Sequence, residues 1–334
     1  MTAIGPAGYE AVTGRRTRVE FLDPADHGYS RPVDSRAGIS VIINERSGLA
    51  AKPDAGPRIQ SLFADHGARV RLERVRDPGD VASRARQAAA RGDLLVAVGG
   101  DGTVNAVAAA AVDAGATLGV LPTGTLNHFA KDLGVPIDLE AAVATIVTGT
   151  VRQVDVGEVN GRIFVNNSSV GLYPRMVWER EGEQRRGRHK WTAFTIAMMR
   201  TWRSYRTVAA HIDVDGERAI VRTPFIFVGN NDYIVQGLRI GGRAALDGGH
   251  LSIFVAPECG RFEILALPLR ALLHRLGEIA PLARFEAQAL SVEVGRHHLS
   301  VACDGEIAVM KTPLEYRIRA RALRVVAPPV PGNR

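Results

Sequence analysis

Residues Val96–Val107 read VAVGGDGTVNAV: an apolar run ends in two glycines, a lone aspartate follows, and after a third glycine a second apolar run begins. The first run, which starts at Leu94, is short and uninterrupted, as a strand buried on both faces must be. The second, Thr103–Gly115, carries valines and alanines at helical spacing and closes on a glycine. Strand, glycine turn and helix in that order bring bare backbone N–H groups to a helix N-terminus, where unpaired donors and the helix dipole favour an anion.

The same alternation extends outward. GISVIIN from Gly38 is strand-like and ends at the polar turn NERSG; GPRIQSLFADHG has helical spacing; ARVRLERV is strand-like again; GDVASRARQAAARG is an alanine-rich helix leading into DLLVAVGG. Downstream, TLGVLP supplies another strand, and LNHFAKDLG and LEAAVATIVTG supply helices. This β-α-β-α-β order predicts a parallel sheet covered by helices over residues 38–150, with ligands binding beyond the carboxyl ends of the strands. From 151 to 326 the pattern changes to short alternating runs divided by turn residues, among them QVDVGEVNGRIFVNNSSVG, HLSIFVAP and ALSVEVGRHHLSVACDGEIAVM. These predict a mainly antiparallel β-sandwich domain, interrupted by helical insertions near 174–206 and 261–278. Residues 1–37, rich in Gly, Pro and charge, are expected to be a flexible extension, and 327–334 a flexible tail. The expected fold is α/β followed by β.

At 334 residues the chain has room for two domains. Its net charge of +7 and pI near 9.8 favour acidic partners. No helix-turn-helix, zinc or aromatic single-strand motif points to nucleic acid. The two cysteines, Cys259 and Cys303, lack metal-ligand spacing, so a reducing cytosol is expected. No stretch approaches the roughly 18 uncharged apolar residues of a spanning helix. Any membrane contact is therefore expected to be peripheral, at the inner, cytoplasmic face. Arg175–Arg206 supports this, with Trp191, Phe194, Met198, Trp202 and Tyr205 at helical spacing among arginines, a pattern suited to an anionic interface and equally to a helix packed on the β domain.

A Gly-Asp-Gly taken alone equally marks a tight turn. Two further turns change the balance: LPTGTLNHFA offers Gly124 for close approach with Thr123, Thr125 and Asn127 as short polar groups, and NERSG offers Asn44, Ser47 and Gly48. Three glycine-bearing polar turns at neighbouring strand ends would build one cleft. Asp101 in it would repel phosphates unless it served a divalent cation or a proton transfer, which fits a Mg²⁺–nucleotide site.

GGDGTVNAV, then PTGTLNHFAKDLG about two dozen residues later, then VNNSSVG and CDGE, together resemble the diacylglycerol kinase catalytic-domain family, which includes bacterial lipid kinases and sphingosine kinases. The resemblance covers nearly all of residues 38–326 and implies an ATP-binding first domain, a largely β second domain and phosphorylation of a lipid hydroxyl, diacylglycerol-like or sphingoid. It implies that Asn44, Gly99, Gly100, Asp101, Gly102, Thr103, Val104, Asn105, Gly124, Thr125 and Asn127 surround ATP. It also implies that Asp101 and Glu306 engage Mg²⁺, that Asp304 is the general base with Glu306 orienting it, and that Asp247 is the acid left for a structural ion. Leu126 and His128 stand where the family pattern has Gly and Asp, and in LDGG Gly248 stands where a second acid would.

Asp-Gly is also the strongest short hairpin signal. The chain holds a second copy, Asp215-Gly216-Glu217, in the same kind of strand pattern, and only position separates it from Asp304-Gly305-Glu306. His297 and His298 lack a metal-ligand pattern and are expected in a solvated turn. His128 suits phosphate, adenine or a helix cap, and Asn166, Asn167 and Ser168 suit either the family site or turn satisfaction. Two other classes stay open: a kinase of a soluble substrate such as NAD, and a nucleotide-binding regulator without catalysis. The oligomeric state is open too, a homodimer included.

Overall fold

A computed structural model describes residues 31–32, 38–171, 208–236, 239–243, 245–256 and 283–329. Both predicted helical insertions, nearly all of the N-terminal stretch and the last five residues lie outside the described residues. Arg31–Pro32 form a two-residue strand, β1.

Four strands, β2 (Ile39–Asn44), β3 (Val70–Val75), β4 (Leu94–Gly99) and β5 (Thr117–Pro122), run parallel in the order β3-β2-β4-β5. β4 is buried at all six positions and β2 at five of six, which explains why both read as continuous apolar runs. Helices α1 (Ala55–Asp65), α2 (Val81–Ala90), α3 (Asp101–Ala114), α4 (His128–Asp132) and α5 (Leu139–Thr148) follow them, α2 packing on α3 and α1 on α5. The register sets Ile43 beside Val98 and Gly99 beside Pro122. The carboxyl ends of β2, β4 and β5 are thereby level, and their turns lie side by side.

The later strands are β6 (Thr150–Val159), β7 (Arg162–Phe164), β8 (Asn167–Gly171), β9 (Val208–Val214), β10 (Glu217–Thr223), β11 (Phe225–Asn230), β12 (Tyr233–Gln236), β13 (Arg239–Arg243), β14 (Leu251–Val255), β15 (Ala283–Ala287), β16 (Ala289–Val294), β17 (His298–Cys303), β18 (Glu306–Lys311) and β19 (Leu314–Ala327). Six of them form an antiparallel sheet, β15-β14-β11-β8-β17-β18. Its inner face, with Val170, Val228, Ile253 and Val301, packs on Val159, Ile212, Val292 and Tyr316 of the other sheet. The alternation of β16, ALSVEV, follows from that one-sided burial. Phe164 meets Tyr316 edge to face at 6.3 Å; truncating so buried an aromatic to alanine costs about 3–5 kcal/mol.

The two layers share a strand. β19 runs antiparallel to β16 and β6, bulges near Arg321, and ends parallel to β5, with Arg324 opposite Thr117. One continuous sheet therefore joins the α/β layer to the sandwich, and no local pattern in the letters marks the last strand as returning to the first sheet. At the bulge Asp155, 1 % exposed on β6, accepts the Arg321 N–H at 2.7 Å. Among the described residues no helix is long and apolar enough to cross a membrane.

Candidate functional site

The three glycine turns meet. A Cβ on Gly124 would lie 2.5 Å from the Gly100 Cα, an approach only glycine allows, and Gly48 abuts the Thr123 carbonyl. Asn44, at the end of β2, donates from Nδ2 to Thr103 Oγ1 at 2.9 Å and so ties the first turn to the second. Asn127 closes the third turn on itself: its Oδ1 accepts the Gly124 N–H at 3.0 Å, and its Nδ2 donates to the Gly124 carbonyl at 2.9 Å. α3 starts at Asp101 with Gly100 as N-cap and no side-chain cap, which leaves its first-turn N–H groups to water or a ligand.

Two atoms at this cradle, Asn105 Oδ1 and Thr123 Oγ1, are buried without a hydrogen-bond partner. Buried polar groups are almost always paired, so orphans beside an uncapped helix N-terminus fit a polar ligand. Thr125 is exposed at the lip, Gly100 and Gly102 flank Asp101, and a Cβ on Gly99 would collide with the Thr103 side chain. The Val104 side chain turns inward, 3 % exposed, as part of the α/β core. The helical period sends it there, leaving only its backbone near the turn.

Two of the expected acids face this cradle. Asp101 Oδ1 accepts the Phe129 N–H at 3.4 Å, joining α3 to α4. Glu306 Oε1 lies 3.1 Å from where a Cβ on Gly102 would be, while its Oε2 accepts from Arg162 at 2.6 Å. Asp101 Oδ2 and Glu306 Oε1 take no hydrogen bond from the described residues.

Asp304, two residues before Glu306, accepts backbone N–H groups from Val165 (2.7 Å), Asn166 (2.8 Å) and Asn167 (3.0 Å). Burial pushes its carboxyl up to about 6, against the pull of those three donors and of Arg243.

Asp247 is held elsewhere. Its turn is tied to Asp155, which donates its N–H to the Leu246 carbonyl at 2.8 Å and accepts the Gly249 N–H at 2.7 Å. Asp101, Glu306 and Asp247 do not bring ligand atoms within reach of one ion. Among the described residues only Asp232, His250 and Glu286 do so, and there Arg284 already bonds both carboxylates at 2.7 and 3.0 Å. His128, His297 and His298 are exposed, and Asp215 sits at an exposed hairpin tip. Asn166 Oδ1 accepts from Arg243, and Ser168 is buried against Tyr316.

Sequence reasoning missed Arg243, Arg162 and Asp155. Arg243 is fully buried yet stands in RIGGR, which reads as an ordinary basic surface segment, and Arg162 sits in an unremarkable NGR turn. Asp155 did leave a signal, an acid inside the strand-like QVDVGEV.

Residues 38–159 match the family model for the diacylglycerol kinase catalytic domain, and residues 176–327 match that for the YegS C-terminal NAD kinase beta sandwich-like domain. The chain is similar to a diacylglycerol kinase of Bacillus subtilis (strain 168), 26% identical over 292 residues, spanning 86% of this chain and 95% of that protein. It is also similar to a "Probable lipid kinase YegS-like" of Cronobacter sakazakii (strain ATCC BAA-894), 36% identical over 151 residues, 43% of this chain and 49% of that one. A solved structure of a diacylglycerol kinase from Bacillus anthracis str. Sterne shares the fold, with a TM-score of 0.62 at 20% identity over 88% of this chain and 98% of the other. With both halves matched in order and the motif turns meeting at one cradle, the chain belongs to the diacylglycerol kinase catalytic-domain family.

Proposed function

We propose that the protein transfers the γ-phosphate of Mg²⁺–ATP to the hydroxyl of a diacylglycerol-like or sphingoid lipid. The observation that carries this reading is the approach of the Asp304–Glu306 turn to the N-terminus of α3, where Glu306, two residues after Asp304, lies against Gly102 of the glycine cradle.

Backbone N–H groups at Gly99–Gly102 and the Gly124 turn bind the phosphates, and Asn44 and Thr103 fix the floor. Asp101 and Glu306 would hold Mg²⁺, which supplies neutralisation of charge on the phosphate oxygens. Asp304 takes the proton of the lipid hydroxyl as its oxygen bonds to phosphorus and the bond from phosphorus to the ADP oxygen breaks. A carboxylate raised to about 6 is ionised at neutral pH and more basic than an ordinary aspartate. The net charge of +7 supports docking on an anionic inner membrane surface.

Incubating the purified chain with labelled ATP, Mg²⁺ and a panel of lipids in mixed micelles tests the reading. Label should move to one lipid class. Label moving to NAD instead, or to nothing while ATP still binds, would replace it with the soluble-substrate or the regulatory reading. For the membrane arm, Arg185, Arg186 and Arg188 changed together to Ser should weaken sedimentation with anionic vesicles, each basic residue contributing about 1 kcal/mol.

A further inference from the structure

Arg243 closes β13, and its side chain is 0% exposed. Every arm of the guanidinium is engaged: Nε donates to Asp132 Oδ2 at 2.8 Å, one terminal nitrogen donates to the Val165 carbonyl at 2.6 Å and the Asn230 carbonyl at 3.4 Å, and the other donates to Asn166 Oδ1 at 3.1 Å. Its Cζ lies 5.8 Å from the Phe129 ring centre and 5.9 Å from that of Tyr233. Four of these six partners fall in two groups. Asp132 and Phe129 belong to α4, directly after the Gly124 turn, and the Phe129 N–H bonds Asp101. Val165 and Asn166 are two of the three residues whose N–H groups hold Asp304.

We propose that Arg243 is a positioning residue that fixes the nucleotide half of the site, through α4, against the half that carries Asp304, through Val165 and Asn166. The proposal rests on the lipid kinase reading for its consequence in turnover, although the linkage itself is geometric. Residues of similar volume and no charge fill an interior at lower desolvation cost than a buried ion pair, so a fully engaged guanidinium is best explained by the arrangement it specifies. A lysine cannot replace it, because one ammonium cannot meet a carboxylate, two carbonyls and an amide oxygen in a planar fork.

The test uses the full chain and compares Arg243→Lys with Asp132→Asn, which keeps the shape and one acceptor oxygen. Arg243→Lys should lower kcat about 10²-fold, the cost of a misplacement near 1 Å, while nucleotide affinity stays within about three-fold. Asp132→Asn should lower kcat less, and the double variant should fall well short of the product of the two losses. Hydrogen exchange supplies a readout independent of lipid turnover: the amides of Val165, Asn166 and Asn167 should exchange faster in Arg243→Lys, with those of β4 unchanged.

Unchanged exchange at 165–167 together with unchanged kcat would overturn the proposal. So would faster exchange throughout both variants, which would make Arg243 a residue of general stability. A parent chain that labels no lipid would instead sink the kinase reading, and local exchange at 165–167 would still decide whether Arg243 is the strut.

Discussion

Asp215-Gly216-Glu217 and Asp304-Gly305-Glu306 fold alike and sit in different worlds. Each closes a two-residue hairpin, with Val214 paired to Glu217 in one and Cys303 paired to Glu306 in the other. Both aspartates have φ of 48°, and the glycines have φ of 92° and 84°, the double positive φ of a type I′ turn. The carboxylates even do the same local work: Asp215 accepts N–H groups from Gln288 and Ala289, as Asp304 does from Val165, Asn166 and Asn167. The difference lies in the surroundings. Asp215 is exposed where β9 meets the edge strand β10, whereas Asp304 is half-buried in the field of Arg243 and Glu306, two residues on, reaches Gly102 at the glycine cradle. Three residues specify a turn; the element packed against that turn gives it a chemistry.

The largest effect is expected from Asp304→Asn, which keeps the size and one acceptor oxygen and removes the proposed base. Turnover should fall about 10²–10⁴-fold with nucleotide affinity nearly unchanged, measured by lipid phosphorylation beside displacement of a fluorescent nucleotide. Next in size is Gly124→Ala at the cradle itself. The added methyl has no room against Gly100, so nucleotide affinity should drop at least about tenfold, as a steric change costing 1.4 kcal/mol or more requires. Parental affinity in that variant would mean that the turns do not hold phosphate. Asp215→Asn should do least: the amide oxygen can still accept from Gln288 and Ala289, turnover should stay within a few-fold, and stability should shift by about 0.5 kcal/mol or less in a urea melt. A loss at 215 as large as that at 304 would erase the distinction.

Much of this was legible in the letters. The uninterrupted runs of β2 and β4 and the helix that closes on Gly115 follow from burial on both faces and from helical period, so the α/β layer could be read directly. Glycines and short polar residues at three strand ends foretold turns that meet, because parallel strands in register bring their carboxyl ends level. What stayed hidden depends on contacts distant in sequence. The pairing of β19 with β5 joins Arg324 to Thr117, and no local pattern encodes it. Arg243 is unreadable for the same reason: its partners Asp132, Val165 and Asn166 are scattered along the chain, and a buried arginine has the same letter as a solvated one. The tie between the Asp247 turn and Asp155, made through the Gly249 N–H, is hidden for the same reason.

The pH profile of lipid phosphorylation tests the central claim most directly. Asp304 keeps its proton to about 6 when folded, against 3.8 for an ordinary aspartate. The folded chain therefore binds more protons between those values, and this group's contribution to stability falls as pH rises through that window. Ionised base accumulates over the same range, so kcat/KM of the parent should rise about tenfold per pH unit below 6 and level off above it. That limb, with its midpoint near 6, is expected in the parent and in Asp215→Asn, with a flat low profile in Asp304→Asn. A limb that persists unchanged when Asp304 is an asparagine would contradict it and assign the proton transfer to another group.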